Sequence, residues 1–299
     1  MVKKIGESVF YLKGGVNIGF IVYEDSLIVI DTGFDKGYGR KILKISKDME
    51  KNIVGIINTH SHADHFGGNG YLQDRVSLWV TTSKVEKAII ENPIFEPMYL
   101  FGGAPFGEIR TKFLEGKPSY VDFAVESDNF RELSKEFNIK IVDLPGHSPG
   151  QIGIFCDDVL FVGDAIMPSS VIKKYKIVYT YDPYIHKQTL YRLKEFTDIN
   201  AFIPGHGEAI IGKYEMENII NINLENIVFI EKSLLELLEN PVSTEDVFSK
   251  FILTFDINLT IDQLLLLYST IKGFLSGLKR EGRIDFFIEN GRIMWKKRA

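Results

Sequence analysis

Three histidines and an aspartate lie close together early in the chain. The segment THSHADH places His60, His62, Asp64 and His65 directly after the apolar run at 53–57, and the whole chain has only six histidines. Imidazole nitrogens and carboxylate oxygens are ligands that zinc and iron accept. The i, i+2 spacing lets His60 and His62 point the same way from an extended segment. The cluster therefore predicts a metal site rather than a polar turn.

Further ligand candidates each follow an apolar, strand-like segment. His147 lies in PGHSPG, Asp164 in VGDA and His206 in PGHG. The ends of strands are where a rigid sheet delivers side chains to a shared cleft. We therefore expect these three residues to complete the site that the histidine cluster begins.

The order of these segments is similar to that of a known family. THSHADH, PGHSPG, VGDA and PGHG, preceded by VIDTG at 29–33, resemble the motifs of the metallo-β-lactamase superfamily over residues 8–212. The resemblance implies an α/β fold, a four-layer α/β/β/α sandwich with the site at one edge. It also implies roles for the residues that match the motifs: one metal ion held by His60, His62 and His147, a second held by Asp64, His65 and His206, and Asp164 bridging the two.

The same resemblance implies a catalytic chemistry. Asp31 would orient the histidine loop, and we expect Asp31 and Asp64 to be the catalytic carboxylates. The cofactor would be two divalent metal ions. Zinc is the expected metal, with iron or manganese as alternatives. Two such ions lower the pKa of water, so hydroxide can attack a carbonyl or phosphoryl centre near neutral pH. Because the third motif carries His147 rather than cysteine, the chain looks like the two-metal hydrolases of the glyoxalase II-, lactonase- and RNase Z-like kind.

The elements that must position these residues follow an α/β rhythm. Strand-like segments at 8–12, 18–23 and 26–30 open the chain, and strands then alternate with helices, including a helix at 40–49 and a strand at 76–80. Residues 92–130 interrupt this rhythm with an insertion rich in aromatic residues, proline and glycine. Such an insertion is a lid or substrate wall, or it only packs on the core, and the sequence favours neither reading.

The character of the chain changes after residue 215. Helical patterns at 215–239, from 243 onward and at 260–279 precede two strand-like pieces around Asn290-Gly291, a strong hairpin signal. Helix, helix, helix and hairpin is the winged-helix pattern, and it resembles the C-terminal segment of a thioesterase- and endoribonuclease-like subfamily. We therefore predict a catalytic domain at 1–215 and a small winged-helix-like domain at 216–299.

Composition and charge limit the remaining possibilities. Apolar residues make up 45% and charged residues 25% of the 299 residues, as in ordinary globular proteins. No apolar run approaches the roughly 18 residues of a membrane-spanning helix, and no signal peptide is recognisable, so we expect a cytoplasmic protein that does not bind membranes. A net charge of −5 argues against a broad nucleic-acid footprint.

Three other features have ordinary interpretations. His186 has no motif around it, so we expect a surface or helix-capping residue, with a substrate contact as the alternative. Cys156 lies in an apolar strand and is expected to be core. The basic tail at 296–298 is expected to be solvated, with RNA contact as the alternative.

Several functions compete on this basis. The leading one is hydrolysis of a small acyl substrate, a thioester or lactone. The alternatives are an endoribonuclease or phosphodiesterase of the same fold, a persulfide dioxygenase with one iron, and a DNA-binding module that uses the winged helix. A homodimer through the C-terminal helices is also compatible with the sequence.

Overall fold

The computed structural model describes residues 1–125, 131–134, 137–257 and 259–298, with side chains outside 131–134. The last part of the predicted insertion, 126–130, lies outside the described residues. Two sheets form the centre of the molecule. The first has the strand order β1-β2-β3-β4-β5-β6-β7. Its strands are antiparallel from β1 to β4 and parallel from β4 to β7, and their bounds are β1 Val2–Lys4, β2 Val9–Leu12, β3 Ile18–Tyr23, β4 Ser26–Ile30, β5 Asn52–Ile57, β6 Trp79–Ser83 and β7 Phe123–Val125.

The second sheet has the order β13-β12-β11-β10-β9-β8. All its neighbouring strands are antiparallel except β11 and β12, which run parallel. The strands are β8 Arg131–Ser134, β9 Ile139–Asp143, β10 Ile152–Cys156, β11 Val159–Gly163, β12 Ala201–Pro204 and β13 Ile210–Ile211.

Helices connect and cover these strands. Several begin where a side chain caps the first turn, as Asp35, Ser83 and Asp182 do by accepting backbone N–H bonds. The helices of this part are α1 Lys36–Asp48, α2 Ala63–Phe66, α3 Asn69–Gln73, α4 Lys84–Glu91, α5 Phe95–Phe101, α6 Ser169–Tyr175 and α7 Pro183–Glu195, with a 3-10 turn at Gly107–Ile109.

The C-terminal part contains three helices and a small sheet. In chain order they are α8 Lys213–Leu237, β14 Val242–Ser243, α9 Thr244–Phe255, α10 Ile261–Arg280, β15 Ile284–Glu289 and β16 Arg292–Lys297. The sheet order is β14-β16-β15. The predicted succession of helices and hairpin is therefore present. The division at 215/216 stays a prediction, and α8 runs across that position.

Three apolar clusters define the layers. Residues of both sheets, among them Ile28, Ile57, Ile152 and Phe161, form the cluster between the sheets. The outer face of the first sheet packs against Ile42 of α1 and Ile90 of α4. The outer face of the second sheet packs against α7, α8 and the C-terminal helices. Helix, sheet, sheet and helix layers therefore stack in the order predicted for a four-layer α/β/β/α sandwich.

Most element bounds differ from the sequence prediction by a residue or two, and two elements begin further away. The first helix begins at Lys36 rather than 40 because Asp35 accepts the N–H of Gly37. The strand predicted at 76–80 begins only at Trp79, the first residue to pair with β5, through Gly55. Among the described residues, no helix is both long enough and apolar enough to cross a bilayer.

Candidate metal centre

The ends of strands from both sheets meet at one edge of the sandwich. Asp31 follows β4 and the histidine cluster follows β5, both in the first sheet. His147, Asp164 and His206 follow β9, β11 and β12 of the second sheet. Because the strands are rigid, each short loop after them delivers one or more polar side chains to the same place.

The first group consists of three histidines. His62 Nδ1 lies 3.0 Å from His60 Nε2 and 3.0 Å from His147 Nε2. His60 and His147 are buried, and His62 is nearly so. Three imidazole nitrogens this close, all facing one point, form a set that could hold one metal ion.

The second group is Asp64, His65 and His206. Asp64 lies 4.0 Å from His65 Nε2 and 3.6 Å from His206 Nε2. Asp164 stands between the two groups: its carboxylate oxygens lie 3.6 Å from His65 Nε2, 3.6 Å from His147 Nε2 and 3.3 Å from His206 Nε2. The structure thus brings together all seven residues that the sequence assigned to the metal site.

Two buried atoms of this centre fit a metal ion. His65 Nε2 and Asp164 Oδ1 are buried and have no hydrogen-bond partner within the described part of the chain. An unpaired buried polar atom is costly unless something coordinates it. Both atoms belong to residue types that bind divalent metals, and both point toward the other ligand candidates. The donor set therefore suits zinc or a similar ion.

Ionisation of the first group and of Asp164 favours metal binding as well. Burial lowers the pKa values of His60 and His147, which keeps both imidazoles neutral. Burial alone would raise the pKa of Asp164, but His206 and His65 lower it below its ordinary value. Neutral imidazole and ionised carboxylate are the forms that coordinate metals.

In the second group the carboxylates act in the opposite direction. Asp164 raises the pKa of His206 to about 9. Burial alone would lower the pKa of His65, but Asp31 and Asp164 raise it above its ordinary value. A metal ion bound there must therefore displace a proton from each of these imidazoles.

Hydrogen bonds behind the histidines orient their rings. His147 Nδ1 donates to the carbonyl of Tyr179 at 3.0 Å, and His206 Nδ1 donates to the carbonyl of Gly15 at 2.6 Å. The other ring nitrogen of each, Nε2, is then the one left with a lone pair directed at the groups. Such outer partners fix the tautomer and the ring orientation of metal-binding histidines.

Asp31 performs this task for the histidine loop. Its carboxylate accepts from Thr59 N and Thr59 Oγ1 at 2.8 Å each, and from His65 Nδ1 at 2.7 Å. Thr59 Oγ1 also lies 3.0 Å from His60 Nδ1 and can accept its proton. Asp31 has a φ of 57°, an uncommon left-handed conformation for a residue other than glycine. It contacts ligand candidates rather than the point where they converge, so it is a positioning residue.

Gly205, immediately before His206, has no room for a side chain. A Cβ at this position would lie 2.0 Å from Asp164 Oδ1 and 2.8 Å from His65 Cε1. The glycine in the PGHG motif therefore lets the backbone of the His206 loop approach both groups closely.

Sequence reasoning missed Glu86 on α4. Its buried carboxylate accepts from Ser61 N at 2.9 Å, from Ser148 Oγ at 2.8 Å and from Gly150 N at 2.7 Å. It thereby joins the loop of His60 and His62 to the loop of His147. The available signal was an acidic residue on the apolar face of a helix, three and four positions before Ile89 and Ile90.

Glu96 of α5 was also missed. It is buried, and its carboxyl lies 3.9 Å from His62 Nε2. Burial, together with Asp64 and Glu86, raises the pKa of Glu96 well above its ordinary value. Its position in the aromatic insertion gave no sequence signal, because the contact exists only once the insertion folds over the centre.

The expectation for His186 was wrong, whereas that for Cys156 is confirmed. His186 is buried rather than at the surface, because α7 packs against the second sheet, and Asp182 is the residue that caps this helix. His186 Nε2 donates to the carbonyl of Ala165 at 2.8 Å, next to Asp164. Cys156 is fully buried in the core, and burial raises the pKa of its thiol to about 11.

A cavity of about 930 Å³ opens at the centre. One side is formed by residues of the two groups, including His62, Asp64 and His206. The other side is formed by α6, the segment that follows it, and the region from the end of α9 into α10. Phe113 of the aromatic insertion also lines the cavity, so part of the insertion is a cavity wall.

The rest of the insertion has two environments. Leu100, Ile109 and Leu114 are buried in one cluster with Leu265 of α10. Phe101 and Phe106 remain about half exposed and contact each other edge to face. Packing and wall formation, the two interpretations of this insertion, thus both apply to different residues of it.

Comparison with known proteins supports the interpretation of the motifs. The family model described as the metallo-beta-lactamase superfamily matches residues 12–206. A linear primary-alkylsulfatase of a Pseudomonas species is 20% identical over 253 residues, covering 76% of this chain and 48% of that protein. A hydroxyacylglutathione hydrolase of Blochmanniella pennsylvanica is 30% identical over 145 residues, covering 48% and 44% respectively. The chain thus spans about half the length of these two relatives.

Solved structures match over nearly the whole chain. A metallo-beta-lactamase family protein from Thermus thermophilus superposes with a TM-score of 0.72 at 16% identity, covering 97% of this chain and 98% of the other. A beta-lactamase domain protein from Burkholderia ambifaria has a TM-score of 0.72 at 15% identity, covering 99% and 93%. At such low identity these matches establish the fold. Together with the family model and the converging motif residues, they show that the chain belongs to the metallo-beta-lactamase superfamily.

Proposed function

We propose that this protein is a hydrolase that uses two divalent metal ions to cleave an acyl substrate, a thioester or a lactone. The observation that carries the proposal is the place of Asp164, whose carboxylate lies within 3.6 Å of histidines from both ligand groups. A carboxylate between two complete groups is what a two-metal centre requires.

The ligand sets follow the two groups. One ion would be held by His60, His62 and His147, the other by Asp64, His65 and His206, with Asp164 shared between them. Zinc is the first choice because nitrogen and carboxylate ligands suit it. When bound, such ions lower the pKa of water toward neutrality and polarise a carbonyl oxygen.

The chain's own residues prepare the centre for this reaction. Asp31 holds His65 and the loop of His60 in place, and Glu86 ties that loop to the loop of His147. The carboxylates of Asp64 and Asp164 offset the positive charge of the ions.

The lining of the cavity favours an acyl substrate over RNA. Apart from the ligand groups, the lining contains the carboxyl groups of Glu96, Asp256 and Asp262. It also contains two lysines, of which Lys176 donates to the carbonyl of Phe255 at 2.6 Å. Nucleic acid requires an excess of positive charge to neutralise its phosphates, and this cavity does not offer one within the described residues.

Two further observations support the proposal. Relatives include a hydroxyacylglutathione hydrolase and several proteins named as probable metallo-hydrolases. The second ligand group argues against the single-iron dioxygenase alternative, because a single iron would leave one of the two ligand groups without a metal ion to bind. We also propose that the C-terminal helices and small sheet form a winged-helix-like subdomain whose role here is to wall the cavity.

The test is an activity panel with the zinc-loaded protein. We expect hydrolysis of thioesters or lactones, loss of activity on chelation, and recovery when zinc is restored. The panel includes RNA and a phosphodiester as alternative substrates, each assayed separately. Cleavage of RNA or the phosphodiester without any acyl hydrolysis would overturn the proposed substrate class, and oxygen consumption with a persulfide would overturn the reaction class.

A further inference from the structure

The cavity extends well beyond the ligand groups. Its volume of about 930 Å³ lies near the upper end of the roughly 300–1,000 Å³ typical of small-molecule sites. A thioester or lactone carbonyl with a short substituent needs only the part next to the metal groups. The remaining space is therefore large enough to hold a further portion of the substrate.

Aliphatic side chains from several elements line this further part, together with polar and charged ones. They come from α6 and the segment after it, and from the stretch that joins α9 to α10 and enters α10; the aliphatic members are Val171, Ile177, Val178, Ile257, Leu259, Leu266 and Leu267. Several of them, including Ile257 and Leu266, are only half-buried in the structure. Apolar side chains left partly exposed in a concave wall gain free energy when an apolar ligand covers them.

The wall is fixed to the catalytic part of the molecule. Leu265, beside Leu266, is buried among residues of the aromatic insertion. Thr111 Oγ1 donates to Asp262 Oδ1 at 3.0 Å, and Thr180 N donates to Thr270 Oγ1 at 3.2 Å. These bonds fix α10 at two positions along its length, so the aliphatic side chains face a pre-formed space.

Charged groups of the lining do not favour an ionic ligand in this part. Asp262 is engaged by Thr111 and Lys176 by the carbonyl of Phe255. Lys174 Nζ donates to Tyr175 Oη at 3.0 Å and lies over the Tyr175 ring. Asp256, the other carboxylate of this part, is exposed. The two lysines and the two carboxylates balance in charge, so the aliphatic side chains are the groups that distinguish one neutral ligand from another.

We propose that this part of the cavity is a subsite for a straight aliphatic chain, so that the substrate is a medium-chain acyl compound whose carbonyl lies at the metal groups. The position of the carbonyl rests on the proposed function. The binding of the chain does not, because it depends on the aliphatic wall alone. In this arrangement the aliphatic wall, to which α10 contributes Leu266 and Leu267, determines chain-length preference.

The first experiment measures binding without turnover. The dissociation constants of N-butyl-, N-hexyl- and N-octylacetamide for the zinc-loaded protein are measured by isothermal titration calorimetry. Each buried methylene should improve affinity by up to about fourfold. Equal affinities across the series would overturn the subsite.

Variants of the aliphatic wall locate the effect. Leu266→Asn should flatten the dependence on chain length, whereas Leu264→Asn should keep it, because Leu264 is exposed on the same helix and outside the cavity lining. If Leu266→Asn does not fold, Ile257→Asn provides the same test, with Leu253→Asn, 79% exposed, as its control. A Leu266 or Ile257 variant that folds and keeps the full dependence would contradict the assignment.

Hydrolysis separates this inference from the proposed function. The substrates are S-acyl-N-acetylcysteamine thioesters from acetyl to decanoyl, and kcat/KM should rise with chain length. Chain-dependent binding of the acetamides without hydrolysis of any thioester would leave the subsite standing and refute the proposed function. If instead the thioesters are hydrolysed at rates that do not depend on chain length, and the acetamides all bind equally, the proposed function would stand and the subsite would be refuted.

Discussion

Four histidines of the candidate metal centre are each held by a hydrogen bond at one ring nitrogen, which leaves the other ring nitrogen available to a metal ion. His65 and His60 are oriented through Asp31 and Thr59, and His147 and His206 through backbone carbonyls. Because the second nitrogen of each ring is engaged, the lone pairs facing the groups are fixed before a metal arrives. His62 differs: its Nδ1 faces the group, and its Nε2 faces Glu96.

Replacement of one ligand candidate tests the first group. We expect His62→Ala to weaken binding of one metal by more than the roughly 10–100-fold that loss of an outer partner costs, and to remove nearly all turnover. Metal affinity is measured by competition with a chromophoric chelator. The matched control is His186→Ala, which removes the remaining histidine and should keep both metals. Full activity and two metals in His62→Ala would defeat the assignment.

Glu86 offers a test of positioning. Its carboxylate accepts from three donors, and Glu86→Gln turns an amide N–H toward one of them at similar volume. We expect metal affinity to fall by about tenfold or more, and the free energy of unfolding to fall by about 1–3 kcal/mol because one buried donor loses its partner. Glu91→Gln, on the same helix but bonded to Val121 N, is the control. Equal metal affinity in Glu86→Gln and wild type would show that this carboxylate only fills space.

The seven ligand candidates could be predicted from sequence because each belongs to a short motif. Glu86 and Glu96 could not, because no motif surrounds them and their contacts depend on how α4 and the insertion pack. His186 was misjudged for a related reason: its burial depends on the packing of α7 against the second sheet. Local patterns identify ligands, whereas the residues behind them depend on tertiary contacts.

At the level of elements, α10 links the C-terminal part to the loop that supports His147. Thr270 of α10 accepts from Thr180 N, and Arg280 Nη2 donates to Asp182 Oδ1 at 2.6 Å. Within the same loop, Asp182 N donates to the carbonyl of Gly146 at 2.9 Å and Tyr181 N to that of His147 at 3.1 Å. The position of α10 is therefore transmitted to the metal centre by hydrogen bonds.

A substitution in α10 measures this connection. Thr270→Val keeps the shape of the side chain but leaves the buried N–H of Thr180 unpaired, so the free energy of unfolding should fall by about 1–3 kcal/mol. The measurement is urea denaturation. Thr254→Val is the control, because its hydroxyl is exposed and bonds only within α9, to the carbonyl of Lys250. A Thr270→Val protein as stable as the control would contradict the role of this contact.

Element bounds were predicted well where a cap or turn residue marks them. The hairpin around Asn290-Gly291 and the helix from 260 agree with β15, β16 and α10 within a residue or two. The strand predicted at 76–80 was shifted because its apolar run begins before the pairing with β5 does. A run of apolar residues predicts that a strand is present. The residue at which that strand begins depends on where its pairing with the neighbouring strand begins.

Across the whole molecule, a partly buried ion network joins α7, α8 and the end of α10. Lys187 Nζ lies 2.7 Å from Glu231 and 2.6 Å from Glu281, and Arg283 lies 2.8 Å and 3.1 Å from the same two carboxylates. The C-terminal part and the catalytic part share one apolar cluster around this network. The two parts are therefore expected to unfold together.

The network predicts a dependence of stability on pH. Burial raises the pKa of Glu281, but Lys187 and Arg283 outweigh it and hold the pKa below the ordinary 4.5. A carboxyl group with a lowered pKa stabilises the fold above its ordinary pKa, and that contribution is lost as the pH falls through the folded value. Glu281→Gln should cost about 1 kcal/mol near neutral pH and nothing in acid.

The comparison is made by urea denaturation of wild type and Glu281→Gln at several pH values. Glu236→Gln, an exposed acid on α8, serves as the control and should match wild type throughout. A difference between wild type and Glu281→Gln that stays constant into acid would contradict this account of the network.

The cavity is the feature that the sequence could predict least. Its walls join residues near 62, 113, 171, 206 and 266, which no local pattern connects. The fold class and the metal motifs were readable because they repeat a family pattern in order, but the shape and polarity of the cavity arise from the docking of α10 on the insertion and on α7. The substrate is therefore a question about the assembled molecule.

The content of the metal centre tests the central claim most directly. Elemental analysis is performed on protein purified without chelators and without a metal-binding tag. The account predicts two divalent metal ions per chain, and loss of one in His62→Ala. A single tightly held iron per chain, with no second metal taken up on addition of zinc, would contradict it.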